Sequence, residues 1–395
     1  MSTFFSSSDS NAHECGFSKD NPFFGKIQQR HLLNKPGSTK KTYHVTLDIS
    51  GSDLVFHEGD ALAIFPSNPP SLVEDLIDFL KVDGSLIVSY TKKHLTKSFS
   101  LFECLSNHVN ITKVSPQLFE VIKQYATCPD CRAHLNLLSD PEQKEAKLEF
   151  LHSHDVNSLA KKAQGLNCSA QIFVESLAPL LPRFYSIASS SAIDPNAIDL
   201  LVATFSYQVQ GELRSGIGSE FLATAASKTT PIPLYIHKNP HFKLPEDIAT
   251  PIIMIGPGTG LAPFRAFLQK RIFQEPTSKN WLFFGERNQA YDFYYEKELK
   301  KLEAQGSLIL SLAFSRDQEE KIYVQDLMLS SKKQLWEWIS QGAYVYICGD
   351  AKHMAKAVSE ALLKIFISEG NMSEEAAKTF LSLLRKTKQL QLDVY

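Results

Sequence analysis

From Thr250 onward, apolar runs of strand length alternate with stretches of helix length. PIIMIG is followed by LAPFRAFLQKRIF, WLFFGE by YEKELKKLEAQ, LILSLAF by QLWEWIS, and AYVYICG by AKHMAKAVSEALLKIFI. This alternation predicts a parallel sheet with helices on both faces. Ligands of such sheets gather outside the carboxyl ends of the strands, so the segments leaving those ends are the first functional candidates.

The preceding part of the chain has a different rhythm. Between Lys26 and Phe65, KTYHVTLDI alternates, HEGD turns and ALAIF reads as a buried strand, before PSNPP breaks the pattern. From Leu72 to about Ser176 the character is helical, in SLVEDLIDFLKV, SPQLFEVIKQYA, DPEQKEAKLEFLHS and AQIFVESLAPLL. Ser115-Pro116 and Asp140-Pro141 mark helix starts with proline at the first helical position. Strand character returns with RFYSIASS, AIDLLVATFSY and TPIPLYIHK. The expected architecture is a β domain interrupted by a helical insertion, followed by an α/β nucleotide-binding domain. The expected divisions are a polar tail over 1–19, the β domain over 20–69 and 177–245, the insertion over 70–176 and the α/β domain over 246–395.

Lys+Arg 41 against Asp+Glu 43 leaves a net charge of -2, which argues against nucleic acid as the main partner. No apolar run approaches the length that spans a bilayer, and MSTFFSSSDSNAHECG lacks the basic and apolar regions of a signal peptide. With six cysteines in no framework spacing, the expectation is a cytoplasmic protein with reduced thiols and no membrane partner.

Several motifs carry chemistry. In GPGTGLAP, Gly256 to Pro263, three glycines in five residues sit between a strand and a helix. They permit close backbone approach to a pyrophosphate, although a tight strand-to-helix turn reads equally well from this stretch alone. SRDQEEKIYVQ offers Ser315, Arg316 and Lys321 to a phosphate monoester and Tyr323 to a base, with a solvated charged loop as the plain alternative. In RFYS, Arg183 and Tyr185 share one strand face and Ser186 takes the other, which suits a flavin diphosphate and ring; an ordinary barrel strand is the alternative. RSGIGSEFL places small residues before a helix, as a second pyrophosphate cradle or only a helix start. ICGD puts Cys348 at a strand end, where a small core residue is the commoner explanation. CPDC, Cys128 to Cys131, has redox or metal spacing, but no second CxxC supplies the remaining ligands, so it reads as incidental thiols near a helix end.

These motifs occur in one order: RFYS, GIGS, GPGTGLAPFRAF, FFGERN, SRD, KIYVQ, CGDAKHMA and a terminal DVY. Over roughly residues 20 to 395 that order resembles the ferredoxin-NADP reductase-like portion of the diflavin NADPH reductases. Within that superfamily, YSIASS, IMIGPGTG, APFRAF, NWLFFG and KIYVQD are most similar to the flavoprotein (alpha) component of NADPH-dependent sulfite reductase. The resemblance implies an antiparallel FAD-binding β-barrel with a helical connecting insertion, then a parallel-sheet NADP-binding α/β domain.

The resemblance also implies roles for matching residues. Arg183 would meet the FAD pyrophosphate, with Phe184 and Tyr185 beside it and Ser186 near flavin N5. Leu201, Val202, Ala203 and Tyr207 fall on the next FAD-contacting strand, Gly216, Ile217, Gly218 and Ser219 on the second pyrophosphate loop, and Thr112 on the insertion. Thr259, Ser315, Arg316, Lys321, Ile322, Tyr323, Val324 and Gln325 match the NADPH site. Cys348 and Asp393 match the pair beside the nicotinamide, and Tyr395 an aromatic lid over the flavin. Two departures stand out. Ala357 occupies a position where the family carries an acid, and only a short polar tail stands where the family has a flavodoxin-like FMN domain. FMN is therefore expected only on a separate partner.

The expected activity is hydride transfer from NADPH to FAD, then electron release to a separate flavodoxin-like FMN protein, ferredoxin or sulfite reductase haemoprotein. A free-standing NADPH–flavodoxin/ferredoxin reductase is the first alternative. A module that binds nucleotide or a partner protein without turnover is the second, and it predicts broken catalytic positions, whereas Ser186, Cys348, Asp393 and Tyr395 are all present.

Overall fold

The computed structural model describes residues 16–92, 95–225, 229–275, 277 and 279–395, so Cys15 and the Ser-rich start lie outside the described residues. Six strands form one antiparallel sheet in the order Arg183–Ser186, Ala61–Ile64, Ile232–His237, Phe23–Leu32, Lys41–Asp48, Ala197–Thr204. The sheet curls until its edges meet, where Ile187 bridges to Leu200. Closure protects the edge strands and encloses a core of Ile27, Val45, Leu47, Leu62, Leu200 and Leu234, with Leu222 added from the helix Ile217–Thr224.

Between Ile64 and Arg183 the chain leaves the barrel to build the insertion, whose core includes Leu105, Phe119, Leu135, Leu159 and Phe173. Ser115 caps the helix Pro116–Tyr125 by accepting from the Leu118 amide at 2.9 Å, with Pro116 at its start. Asp140 likewise opens a short 3-10 turn, Pro141–Gln143, that leads into the helix Lys144–Ser153. The insertion is not helical throughout, as its sequence suggested. Ile87–Lys92 and Leu95–Ser100 pair as an antiparallel hairpin. The reason lies in β-branched and aromatic residues: Val88 is buried, and Tyr90 and Phe99 hold the His108 ring at 5.7 and 4.0 Å.

The second half is a five-stranded parallel sheet in the order Ile309–Phe314, Asn280–Glu286, Ile252–Ile255, Tyr344–Gly349, Leu390–Val394. The three central strands are almost wholly buried because helices cover both faces, which explains their unbroken apolar runs. The last strand, LQLDV, is short and mixed in polarity, and its register sets Asp393 opposite Cys348.

Polar contacts fasten the two halves. Thr42 Oγ1 meets the Tyr294 hydroxyl at 2.9 Å, and His44 Nδ1 meets that of Tyr295 at 2.8 Å. Arg265, from APFRAF, donates to Asp199 at 2.9 Å, to the Ala188 carbonyl at 2.9 Å and to Glu298 at 3.0 Å, and lies over the Tyr295 ring. Buried donors and acceptors matched this way fix one relative placement of barrel and sheet. Among the described residues no helix is long and apolar enough to cross a membrane.

Candidate active site

A cleft of about 600 Å³ opens between the barrel and the insertion. Arg183 and Tyr185, alternate residues of one strand, line one wall; Tyr207 lies on a second and Thr112 on the insertion side. The floor is Gly216 to Ser219, the start of the helix Ile217–Thr224. That helix has Gly216 at its N-cap and no side-chain cap, so its first amides face the cleft unclaimed by a side chain. A Cβ on Gly218 would stand 2.6 Å from Arg183 Cγ and 2.9 Å from the Tyr185 hydroxyl. The glycine is therefore what lets the cation and the phenol close over the helix start. Burial raises the Tyr185 pKa, keeping the phenol a donor.

A second cleft, of about 560 Å³, lies at the carboxyl ends of the parallel strands. Gly258, Ser315, Tyr323, Val324 and Gln325 line it, and so does Ala357, which brings no carboxylate. Gly258 holds a positive φ of 61°, and a Cβ on Gly260 would collide with the Cys348 carbonyl. GPGTG is thereby pressed onto the strand that carries Cys348. Lys40, from the barrel, enters this cleft and ion-pairs with Glu286, while Arg287 donates to Thr39 at 2.8 Å.

Where the barrel meets the parallel sheet, three expected residues converge. Ser186 Oγ donates to Asp393 Oδ2 at 2.9 Å, and Cys348 Sγ stands 3.9 Å from the same oxygen. Asn239 Nδ2, from the barrel side, approaches Asp393 Oδ1 at 3.4 Å. Burial raises the Asp393 pKa, and the bonds from Ser186 and Cys348 oppose the rise. Burial, followed by the neighbouring Asp393, lifts the Cys348 thiol well above its ordinary value, so it stays protonated. Tyr395 is 64% exposed, and its hydroxyl bonds to Thr259 Oγ1 at 2.7 Å. Its backbone exchanges bonds with Gly349 and Ala351, which sets it beside the Cys348 strand end.

Not every candidate gathers at a cleft. Leu201 and Val202 turn their side chains into core, and Phe184 is exposed beside the His237 ring. Arg316, Lys321 and Ile322 are exposed and do not line the second cleft. Lys40, Arg287, Asn239 and the insertion residues Leu148, His152 and His154 were missed by sequence reasoning. Lys40 sits in NKPGSTKK, which gives no sign that this lysine reaches the second cleft. Among the described residues no group of three His, Cys, Asp or Glu side chains could hold a metal ion.

A model of the FAD binding domain matches residues 16–221, and one of the oxidoreductase NAD-binding domain matches residues 254–360. Fold, clefts and matches together define an oxidoreductase with a flavin domain and a nicotinamide-dinucleotide domain. The chain belongs to the FAD binding domain family. It is 39% identical over 383 residues to the "Sulfite reductase [NADPH] flavoprotein alpha-component" of Bacillus subtilis (strain 168), covering 97% of this chain and 62% of that protein. Proteins of the same description from Shigella flexneri serotype 5b (strain 8401) and Escherichia coli O9:H4 (strain HS) are each 38% identical over 384 residues, with the same coverage. The chain thus spans 62% of the length of these curated relatives.

Proposed function

We propose that this chain is an NADPH-dependent FAD reductase that serves, through a separate FMN carrier, as the flavoprotein component of a sulfite reductase. The convergence of Ser186, Cys348 and Asp393 where the barrel meets the parallel sheet carries the reading, and the descriptions of the relatives support it. When bound, NADPH supplies a hydride from nicotinamide C4 to N5 of FAD, which passes electrons on singly.

The residues of the first cleft fit FAD: Arg183 and the free amides at Gly218 and Ser219 would hold its diphosphate, and Tyr207 its far end. The second cleft would hold the dinucleotide, with GPGTG at the pyrophosphate and Ser315, Tyr323 and Gln325 toward the adenosine phosphate. Arg316 and Lys321, on the same loop, are assigned to the phosphate that separates NADPH from NADH. Ser186 and Asn239 would fix Asp393 from the barrel side, so that its carboxylate balances the positive charge developing on the nicotinamide. Cys348, kept protonated, would offer a neutral surface for the ring. Tyr395, latched to Thr259, would occupy the nicotinamide position until the dinucleotide engages the loop. We assign residues 20–69 and 177–245 to the flavin domain, 70–176 to the connecting insertion and 246–395 to the NADP domain. Cytoplasmic residence suits the free thiols of Cys104, Cys168 and Cys348.

The test is purification followed by NADPH-driven reduction of ferricyanide, then of a flavodoxin-like FMN protein, a ferredoxin and a sulfite reductase haemoprotein supplied with FMN protein. The reading expects a flavin absorbance band, ferricyanide reduction and sulfite-dependent NADPH consumption. A protein without flavin, or one that leaves ferricyanide untouched, would refute the enzyme. Turnover of flavodoxin or ferredoxin with no sulfite-dependent consumption would reassign it as a free-standing reductase.

A further inference from the structure

We infer that Cys128 and Cys131 form a reversible redox-active dithiol, a site of thiol–disulfide exchange separate from the flavin chemistry. Cys128 is the N-cap of the nine-residue helix Pro129–Leu137, and Cys131 is its third helical residue. Cys128 Sγ accepts from the Cys131 amide at 3.5 Å. Sulfur is a weak acceptor and a poor choice for a cap. Other helices of the same insertion are capped by oxygen, from Ser100, Ser115, Asp155 and Ser169. Capping therefore does not account for a thiol at this position.

Geometry sets the Cys128 sulfur against Cys131. In the helix Val156–Ala163 of the same insertion, the cap Asp155 and the third helical residue Ser158 make reciprocal bonds, at 2.7 and 2.9 Å. Cys128 and Cys131 hold the equivalent pair of positions, cap and third helical residue, which sets Cys128 Sγ against the backbone of Cys131. Burial first, and then Cys128 as a neighbour, raises the Cys131 pKa, so the two groups interact. The backbone is fixed beforehand: the Thr127 amide donates to Gly165 at 3.0 Å, that of Cys128 to Ala163 at 3.2 Å, and Pro129 fixes the first helical residue.

Exposure divides the roles. Cys128 is partly exposed at the positive end of a helix, whereas Cys131 is 2% exposed in the insertion core. As a thiolate, Cys128 attacks one sulfur of a small disulfide such as oxidised glutathione and expels one thiolate. Cys131 then loses its proton and attacks Cys128 Sγ, expelling the second. Two S–H bonds are replaced by one S–S bond, and the small disulfide is reduced by two electrons.

The experiment exposes the full-length protein to oxidised glutathione, quenches it in acid, denatures it, alkylates it and maps the peptides. The wild type is expected to give a Cys128–Cys131 peptide lighter by two hydrogens and unlabelled, with both sulfurs recovered as alkylated after dithiothreitol. Cys131→Ser, or Cys131→Ala should the serine variant fold poorly, is expected to stop at a glutathione adduct on Cys128. Wild-type protein that keeps this adduct, or that alkylates at both sulfurs after oxidation, overturns the dithiol. The readout involves neither FAD nor NADPH, so its failure is separate from failure of the reductase reading.

Discussion

At the scale of single residues, the latch between Tyr395 and Thr259 separates two effects that an alanine scan would merge. Tyr395→Phe keeps the ring and removes only the 2.7 Å hydroxyl contact. A net hydrogen bond contributes about 1 kcal/mol, so the KM for NADPH is expected to fall about fivefold if the latch competes with the dinucleotide. Tyr395→Ala removes the ring as well, and is expected to tighten nicotinamide binding further and to relax selectivity against NADH. Steady-state kinetics with both dinucleotides checks this, and unchanged constants in both variants would remove the lid. Gly218→Ala tests the other cleft. Its new methyl would stand 2.6 Å from Arg183 Cγ, so the guanidinium must move. The protein is expected to lose most of its FAD on purification while its circular dichroism is kept, which the ratio of flavin to protein absorbance reads directly.

Among elements, the strand Lys41–Asp48 links function to stability because both its faces are buried. Val45 and Leu47 enter the barrel core, and Thr42 and His44 face the second domain. His44 is 6% exposed, and its surroundings are Tyr295, Thr46, Asp199, Arg265 and the stacked ring of His31. Burial lowers its pKa from 6.5 to about 4, against the pull of Asp199. The unfolded chain therefore binds a proton below pH 6.5 that the folded protein refuses until about pH 4, and stability falls with pH across that window. The full difference corresponds to about 3 kcal/mol. His44→Gln removes this titration, so its melting temperature is expected to drop less than that of the wild type between pH 6.5 and 4.5. Parallel thermal melts measure it, and equal slopes would contradict the assignment.

Elements also differed in how legible they were. The central strands of the parallel sheet were plain in the sequence because burial on both faces demands unbroken apolar runs, as in PIIMI and WLFF. Leu390–Val394 gave no such signal: an edge strand needs only one covered face, and its identity depends on pairing with a partner far back in the chain. The hairpin at 87–100 was lost among helices for a similar reason, since its stabilising contacts with His108 are tertiary. Helix starts at Ser115 and Asp140 were readable because their signal is local.

For the molecule as a whole, the two domains and their order could be read from the chain, but their junction could not. Ser186, Asp393 and Cys348 lie 207 and 45 residues apart in their bonded pairs, and only the antiparallel barrel closing against the parallel sheet brings them together. Motif order suggested the three residues; it could not show that Asn239 completes the set or that Lys40 crosses into the second cleft. Arg265 and His44 tie the barrel to the parallel sheet across that junction, so the proposed hydride path needs no large domain closure. Asp393 carries a raised pKa, so its charged fraction grows with pH, and hydride transfer is expected to speed up from acid toward neutral pH in the wild type. Asp393→Asn is expected to lose that rise together with about 100-fold in rate, the scale of one preorganised electrostatic contact.

The direct measurement of this claim is anaerobic rapid mixing of the FAD-loaded protein with NADPH, and with NADPH deuterated at C4, while the flavin band is followed. Bleaching of the flavin is expected to slow with deuterium in the wild type and to slow about 100-fold in Asp393→Asn. A flavin band that NADPH leaves unchanged, or an Asp393→Asn variant that bleaches at the wild-type rate, would contradict it.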